Sequence, residues 1–156
     1  MSCIFCEIVE DHSKAHIIWE DKEHLAFLSI FPNTLGFSVV IPKKHCSSYL
    51  FEQEEGVITG LTLASKKVAT LLDNAFEDVG RTGMMFEGFG VNHLHSKLFP
   101  MHGTARLKKW EKISSPVSKF FEQYEGYISS HDSERANDVD LAALADHIRT
   151  SAQPSI

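Results

Sequence analysis

The chain has 156 residues, 43% hydrophobic and 23% charged, with 15 Lys and Arg against 21 Asp and Glu for a formal charge of −6. A chain near this length buries roughly 68–70% of its unfolded surface without disulfide staples, and the composition excludes disorder, collagen and coiled coil. The acidic balance excludes wrapping of a nucleic-acid polymer, which needs clustered Lys and Arg, and the apolar runs fall short of the about 20 residues that span a bilayer.

The first residues, MSCIFCEIVEDH, lack a basic region and a long apolar run, so they do not read as a secretion signal. Three cysteines, Cys3, Cys6 and Cys46, in an unsignalled chain point to a reducing compartment, and the cytoplasm is the expected location. Residues 16–20 and 24–30 are short, apolar and β-rich; separated by the polar turn Asp21-Lys22-Glu23, they read as a hairpin. Residues 32–36 are a turn cluster, and 37–41 form a third strand stopped at Pro42.

Over 53–76 the period changes. Val57, Ile58, Leu61, Ala64, Val68, Leu71, Leu72 and Ala75 recur every three or four residues, which predicts an amphipathic helix. Gly56 and Gly60 weaken its first turns by up to about 1 kcal/mol each. Residues 84–86 and 91–99 read as two further strands around the joint Glu87-Gly88-Phe89-Gly90. A short helix is expected over 116–124, a short strand over 127–130, and a last helix over 138–150 capped by Asp138 or Asp140. Strands, a long helix and strands again predict an α+β fold with an antiparallel sheet. The expected organisation is one domain over 1–110 and a C-terminal extension over 111–156 packed on it.

The nine histidines are the compositional anomaly. Along a strand alternate side chains share a face, so His93, His95 and Lys97 would project together, about 6–7 Å apart. Two imidazoles and an ammonium in a row can hold a phosphate, and one imidazole can attack it. A solvated sheet face explains a bare His-x-His-x-Lys equally well. Gly88 and Gly90 shift the balance toward a ligand, because glycine lets backbone N–H groups approach closely.

Cys3-x-x-Cys6 fits a redox pair, half of a zinc site, or an accident near a terminus. Redox pairs sit between a strand and a helix, and this pair precedes the first strand. A zinc reading needs two more ligands, commonly histidine; His45, after the third strand, and His93 are available. Cys46 is an alternative ligand, or simply a small half-buried thiol.

Four motifs then occur in order: Cys3-Ile4-Phe5-Cys6-x-Ile8, Ala26-Phe27-Leu28-Ser29-Ile30, Gly36 followed by Val40-Ile41-Pro42-Lys43-Lys44-His45, and Gly88-x-x-Val91-x-His93-x-His95. Together they resemble the histidine triad (HIT) family over the first two-thirds of the chain. Of two registers for the triad, the one adopted has His93 first, His95 central and Lys97 in place of the third histidine, which also aligns Val91 and Pro100. The resemblance implies a homodimer and a nucleotide conjugate as substrate, a dinucleoside polyphosphate or nucleoside phosphoramidate. It implies that His95 attacks the α-phosphorus and forms a nucleotidyl-histidine intermediate. It assigns Phe5, Ile8, Phe27, Ser29, Ile30, Gly88 and Gly90 to nucleotide binding, and Cys3, Cys6, His45 and His93 to a structural zinc ion. Catalysis falls to His95, with Lys97 and His93. Departures surround the same site: Lys97 for the third histidine, Ser29 where the family often has Asp, and Phe89-Gly90 where it has polar residues. They leave a second expectation, a nucleotide-binding module without efficient chemistry. His102 is a candidate stand-in for the missing histidine, and Trp110 and 127–135 are candidates to cover the site.

Overall fold

A computed structural model describes residues 2–113, 118, 120–124 and 132–151. Its centre is a five-stranded antiparallel sheet: β1 (Ile17–Glu20), β2 (His24–Leu28), β3 (Ser38–Pro42), β4 (Thr82–Met85) and β5 (Ser96–Pro100), in the order β1-β2-β3-β5-β4. Three helices accompany it: α1 (Ile4–Val9), α2 (Glu55–Ala75) and α3 (Asp138–Thr150). This is the α+β architecture that the element order predicts.

Every residue of β2 and β3 is buried, so both strands read as apolar runs rather than as an alternation. The period of two still sorts them. Ala26, Leu28 and Val40 face the core built with α2 and α3. Leu25, Phe27, Val39 and Ile41 face the other way, against Phe5 of α1. The sheet is therefore covered on one face by two helices and on the other by one short helix that leaves room for a cavity.

The α2 stripe sits on the first face. Leu61, Val68 and Leu72 are fully buried there, each worth about 1.5–3 kcal/mol of burial. Ser65, on the same stripe, finds a partner in Ser96 of β5 at 2.7 Å. Leu141, Ala145 and Ile148 of α3 join this core, so the C-terminal helix shares it with the sheet. Its cap is Asn137, whose side chain accepts from the Val139 and Asp140 amides at 2.8 and 3.4 Å. The caps expected from sequence, Asp138 and Asp140, are inside the helix; Asp138 instead accepts from His16 at 2.8 Å and Arg135 at 3.1 Å.

Three further expectations are corrected. Helix α1 lies where the sequence reading placed no element. The strand expected over 91–99 begins only at Ser96, and 90–93 are bends. The neighbouring strand explains the late start: Pro42, at the end of β3, has no N–H to give, and its carbonyl accepts from the His93 ring instead. Of the helix expected over 116–124, residues 118 and 120–124 are not helical; the rest of it, and the strand expected over 127–130, lie outside the described residues. No helix among the described residues is long and apolar enough to cross a membrane.

Candidate functional site

Cys3 stands at the start of α1 and Cys6 one turn along it, so their sulfurs share a side of the helix. The loop after β3 brings His45, and the bend before β5 brings His93. The four ligand atoms lie within 4.8 Å of one another. His93 Nδ1 is 3.4 Å from Cys3 Sγ and 3.6 Å from Cys6 Sγ, and His45 Nδ1 is 3.3 Å from Cys6 Sγ. Ligand atoms around a tetrahedral zinc stand about 3.4–3.8 Å apart, given bonds of about 2.3 Å to sulfur and 2.0–2.1 Å to nitrogen.

The hydrogen bond behind His93 agrees. The Pro42 carbonyl can only accept, so His93 Nε2 donates to it at 2.8 Å and Nδ1 is left to face the sulfurs. Burial, then the neighbouring Cys3, pushes the Cys6 thiol above its ordinary range; a divalent cation between the sulfurs relieves that cost. Two thiolates and two imidazoles fit zinc. Cys46 is outside the cluster and is a half-buried thiol whose carbonyl accepts from the Leu94 amide at 3.0 Å.

His95 is 5% exposed. Its Nδ1 lies 2.6 Å from the His93 carbonyl oxygen, so Nδ1 carries the hydrogen and Nε2 keeps a lone pair. Burial holds this imidazole below the ordinary histidine range, against the opposing pull of that hydrogen bond. His93 is depressed likewise, by burial first. His95 is therefore a neutral imidazole with its tautomer fixed by the backbone, the form that acts as a nucleophile.

His95 lines a cavity of about 490 Å³ together with Phe5, Ile8, Phe27, Ser29 and Ile30. The Phe5 ring meets Phe27 and His95 edge-on, both at 5.4 Å. Gly90 and Lys97 also line the cavity; Gly88 does not, and its carbonyl accepts from Ser48 Oγ at 2.7 Å. His93 is absent from the lining and belongs to the cysteine cluster. So of the residues singled out in sequence, the fold gathers two adjoining groups, one of metal ligands and one around an apolar cavity, with His93 and His95 at their junction. His102 is in neither. Its Nδ1 meets the Asp78 carboxylate at 3.1 Å and its Nε2 the Leu35 carbonyl at 2.8 Å, a strap across three loops. Trp110 is 80% exposed and does not line the cavity, whereas Asp132 does.

Phe37 and Val39 line the cavity and were not singled out from sequence, whereas Val91 and Phe89, named there for the motif and its departures, also line it. Phe37 and Val39 were legible in principle, since they alternate with Ser38 and Val40 at the start of β3 and just before it. Glu87 was missed too. Its carboxylate accepts from the Lys97 ammonium. The signal was the register of β4 and β5, which sets Met85 opposite Lys97, and register is not visible before pairing is known.

Comparison with known proteins agrees with this arrangement. The HIT domain family profile matches residues 10–104. An uncharacterised 16.1 kDa HIT-like protein of Mycoplasma pneumoniae is 33% identical over 107 residues, 66% of this chain and 74% of that one. An adenosine 5'-monophosphoramidase of Schizosaccharomyces pombe is 31% identical over 100 residues, 64% of this chain and 74% of its own. Among solved structures, a zinc-bound histidine triad family protein from Mycobacterium smegmatis superposes with a TM-score of 0.68 at 22% identity, over 97% of this chain and 93% of the other. The motifs, the sheet with its cover of helices, and the profile match over most of the sheet agree: the chain belongs to the HIT domain family.

Proposed function

We propose that this protein is a nucleotidyl hydrolase or transferase that works through a covalent intermediate on His95. The observation that carries the reading is the buried His95 imidazole, neutral, fixed by the His93 carbonyl and bordering an apolar cavity beside a cation. The cavity suits a nucleotide: Phe5, Ile8, Phe27 and Ile30 offer apolar surface to a base, and Lys97 stands at the end where His95 lies. Nε2 of His95 attacks the α-phosphorus, the bond to the leaving group breaks, and a nucleotidyl-histidine forms. Water then attacks that phosphorus, the P–N bond breaks back onto His95, and the nucleoside monophosphate is released. Two displacements at one imidazole replace one harder step. The S. pombe relative is named as an adenosine 5'-monophosphoramidase, which supports a nucleotide conjugate as the substrate.

Cys3, Cys6, His45 and His93 would hold a structural zinc ion, which when bound closes the cluster with no open coordination position and so contributes order rather than Lewis-acid chemistry. The zinc-bound M. smegmatis neighbour supports that assignment. We further propose a homodimer: β4 is an edge strand with Met84 48% exposed, and Leu63 on the outer side of α2 is 55% exposed.

Ser29 supports the second reading, a binding module with little chemistry. Its hydroxyl already accepts from the Phe31 amide at 3.2 Å, and a hydroxyl holds ribose less firmly than a carboxylate. One experiment separates the two. The protein is mixed with adenylated and guanylated compounds, quenched, and weighed intact. Turnover with a nucleotidyl adduct, both abolished in His95→Ala, is the expected result; Lys97→Ala should slow turnover by about 10²–10³. Binding without adduct or turnover leaves the module.

A further inference from the structure

The lysine at the third triad position is held by a carboxylate. Lys97 Nζ donates to Glu87 Oε1, and the two side chains are only 15% and 13% exposed. Lys97 lines the cavity, Glu87 is not among its lining residues, and the two side chains meet through the ammonium. The sheet register puts Met85 across from Lys97, and Glu87 follows just past the end of β4. A carboxylate this withdrawn from water needs a counter-charge, and removing one member of such a pair is more damaging than removing both.

We propose that Glu87 is a positioning residue that commits Lys97 to the role of a fixed cation, and that the site consequently favours substrates whose leaving group departs as an anion, a phosphate or polyphosphate, over those whose leaving group is an amine. The inference rests on His95 as the nucleophile. As the Nε2 lone pair forms its bond to phosphorus, the electron pair of the breaking bond goes to the departing atom. A bridging oxygen takes that pair away as a phosphate anion and needs no proton, and the Lys97 charge opposes the negative charge as it grows. A nitrogen must gain a proton as its bond to phosphorus breaks. An imidazolium supplies one readily near neutrality. A lysine ammonium is in general an acid about four orders of magnitude weaker, and here it donates to the Glu87 carboxylate rather than standing loose in the cavity. The second displacement, water on the nucleotidyl-histidine, is the same for both substrate classes, so the discrimination lies in the first.

The test compares kcat/KM for diadenosine and diguanosine tetraphosphates with that for adenosine and guanosine 5'-phosphoramidates. It uses the full chain and its Lys97→His, Glu87→Gln and Glu87→Asp variants, with circular dichroism to check folding and intact mass to detect the adduct. The native chain should prefer the anhydrides by at least about 10²-fold, the low end of what a general acid contributes. Lys97→His should move that ratio toward the amines by about tenfold or more. Glu87→Gln should lower kcat on the anhydrides with KM little changed, and Glu87→Asp should restore part of it. Equal or better turnover of the phosphoramidates by the native chain, with the His95 adduct present, overturns this inference and leaves His95 as nucleophile. A ratio unmoved in a folded Lys97→His variant does the same; if that variant does not fold, the native ratio decides. No adduct and no turnover from either class overturns both readings.

Discussion

Gly36 shows how a single position can be fixed by shape alone. Its φ is +83°, and a Cβ there would stand 2.8 and 2.9 Å from two atoms of the Phe76 ring and 3.1 Å from Pro100 Cγ. The left-handed backbone costs an L side chain about 1–2 kcal/mol, and overpacking costs about 1–3 more. Gly36→Ala should therefore lower unfolding stability by about 2–5 kcal/mol, read from urea midpoints. An unchanged midpoint would mean that the turn rearranges freely. The turn itself was legible from Pro32, Asn33 and Gly36. The need for glycine was not, because Phe76 reaches it only after α2 has packed. The metal ligands were the most legible residues: their types are few, and Cys-x-x-Cys already places two sulfurs together. The partner of Lys97 was the least legible, since any Glu after β4 would look like a solvated charge.

The elements were legible in proportion to their length and period. Helix α2 repeats its apolar stripe over six turns of sequence, and the β1–β2 hairpin is punctuated by charged turn residues. Helix α1 escaped notice because Ile4–Val9 is six residues long, too short to show a period. Loops between elements are tied by histidine–carboxylate pairs, and these predict an acid response. The hydrogen bond from His102 holds the Asp78 carboxyl below its ordinary value of 3.8, and His16, then Arg135, do the same for Asp138. A carboxyl depressed in the folded state stabilises fully above the unfolded value and loses that contribution as pH falls through the folded value. Urea midpoints measured from about pH 6 down to about pH 3 should fall more steeply for the native chain than for the Asp78→Asn, Asp138→Asn double variant. Parallel curves would remove these pairs from the account of acid stability.

At the scale of the whole molecule, metal and assembly are what the residues predict. Purified protein should carry about one zinc per chain, and chelation should lower both thermal stability and turnover. His93→Ala should mimic chelation, whereas His95→Ala should lose turnover with its melting temperature largely kept. Full stability after complete metal removal would leave the cysteine cluster without a structural role. Sedimentation at micromolar concentration should give twice the 17.5 kDa chain mass; a single-chain mass would return Met84 and Leu63 to the ordinary surface. His93 has one further consequence. Its ring faces the sulfurs through Nδ1 and the Pro42 carbonyl through Nε2, while its own carbonyl sets the hydrogen on His95. One residue thus touches the cysteines with its ring and the reactive imidazole with its carbonyl. Oxidising Cys3 and Cys6 would take the sulfurs from the Nδ1 side and leave the ring held by the Pro42 carbonyl alone, so the order around His95 would then hang on that one bond.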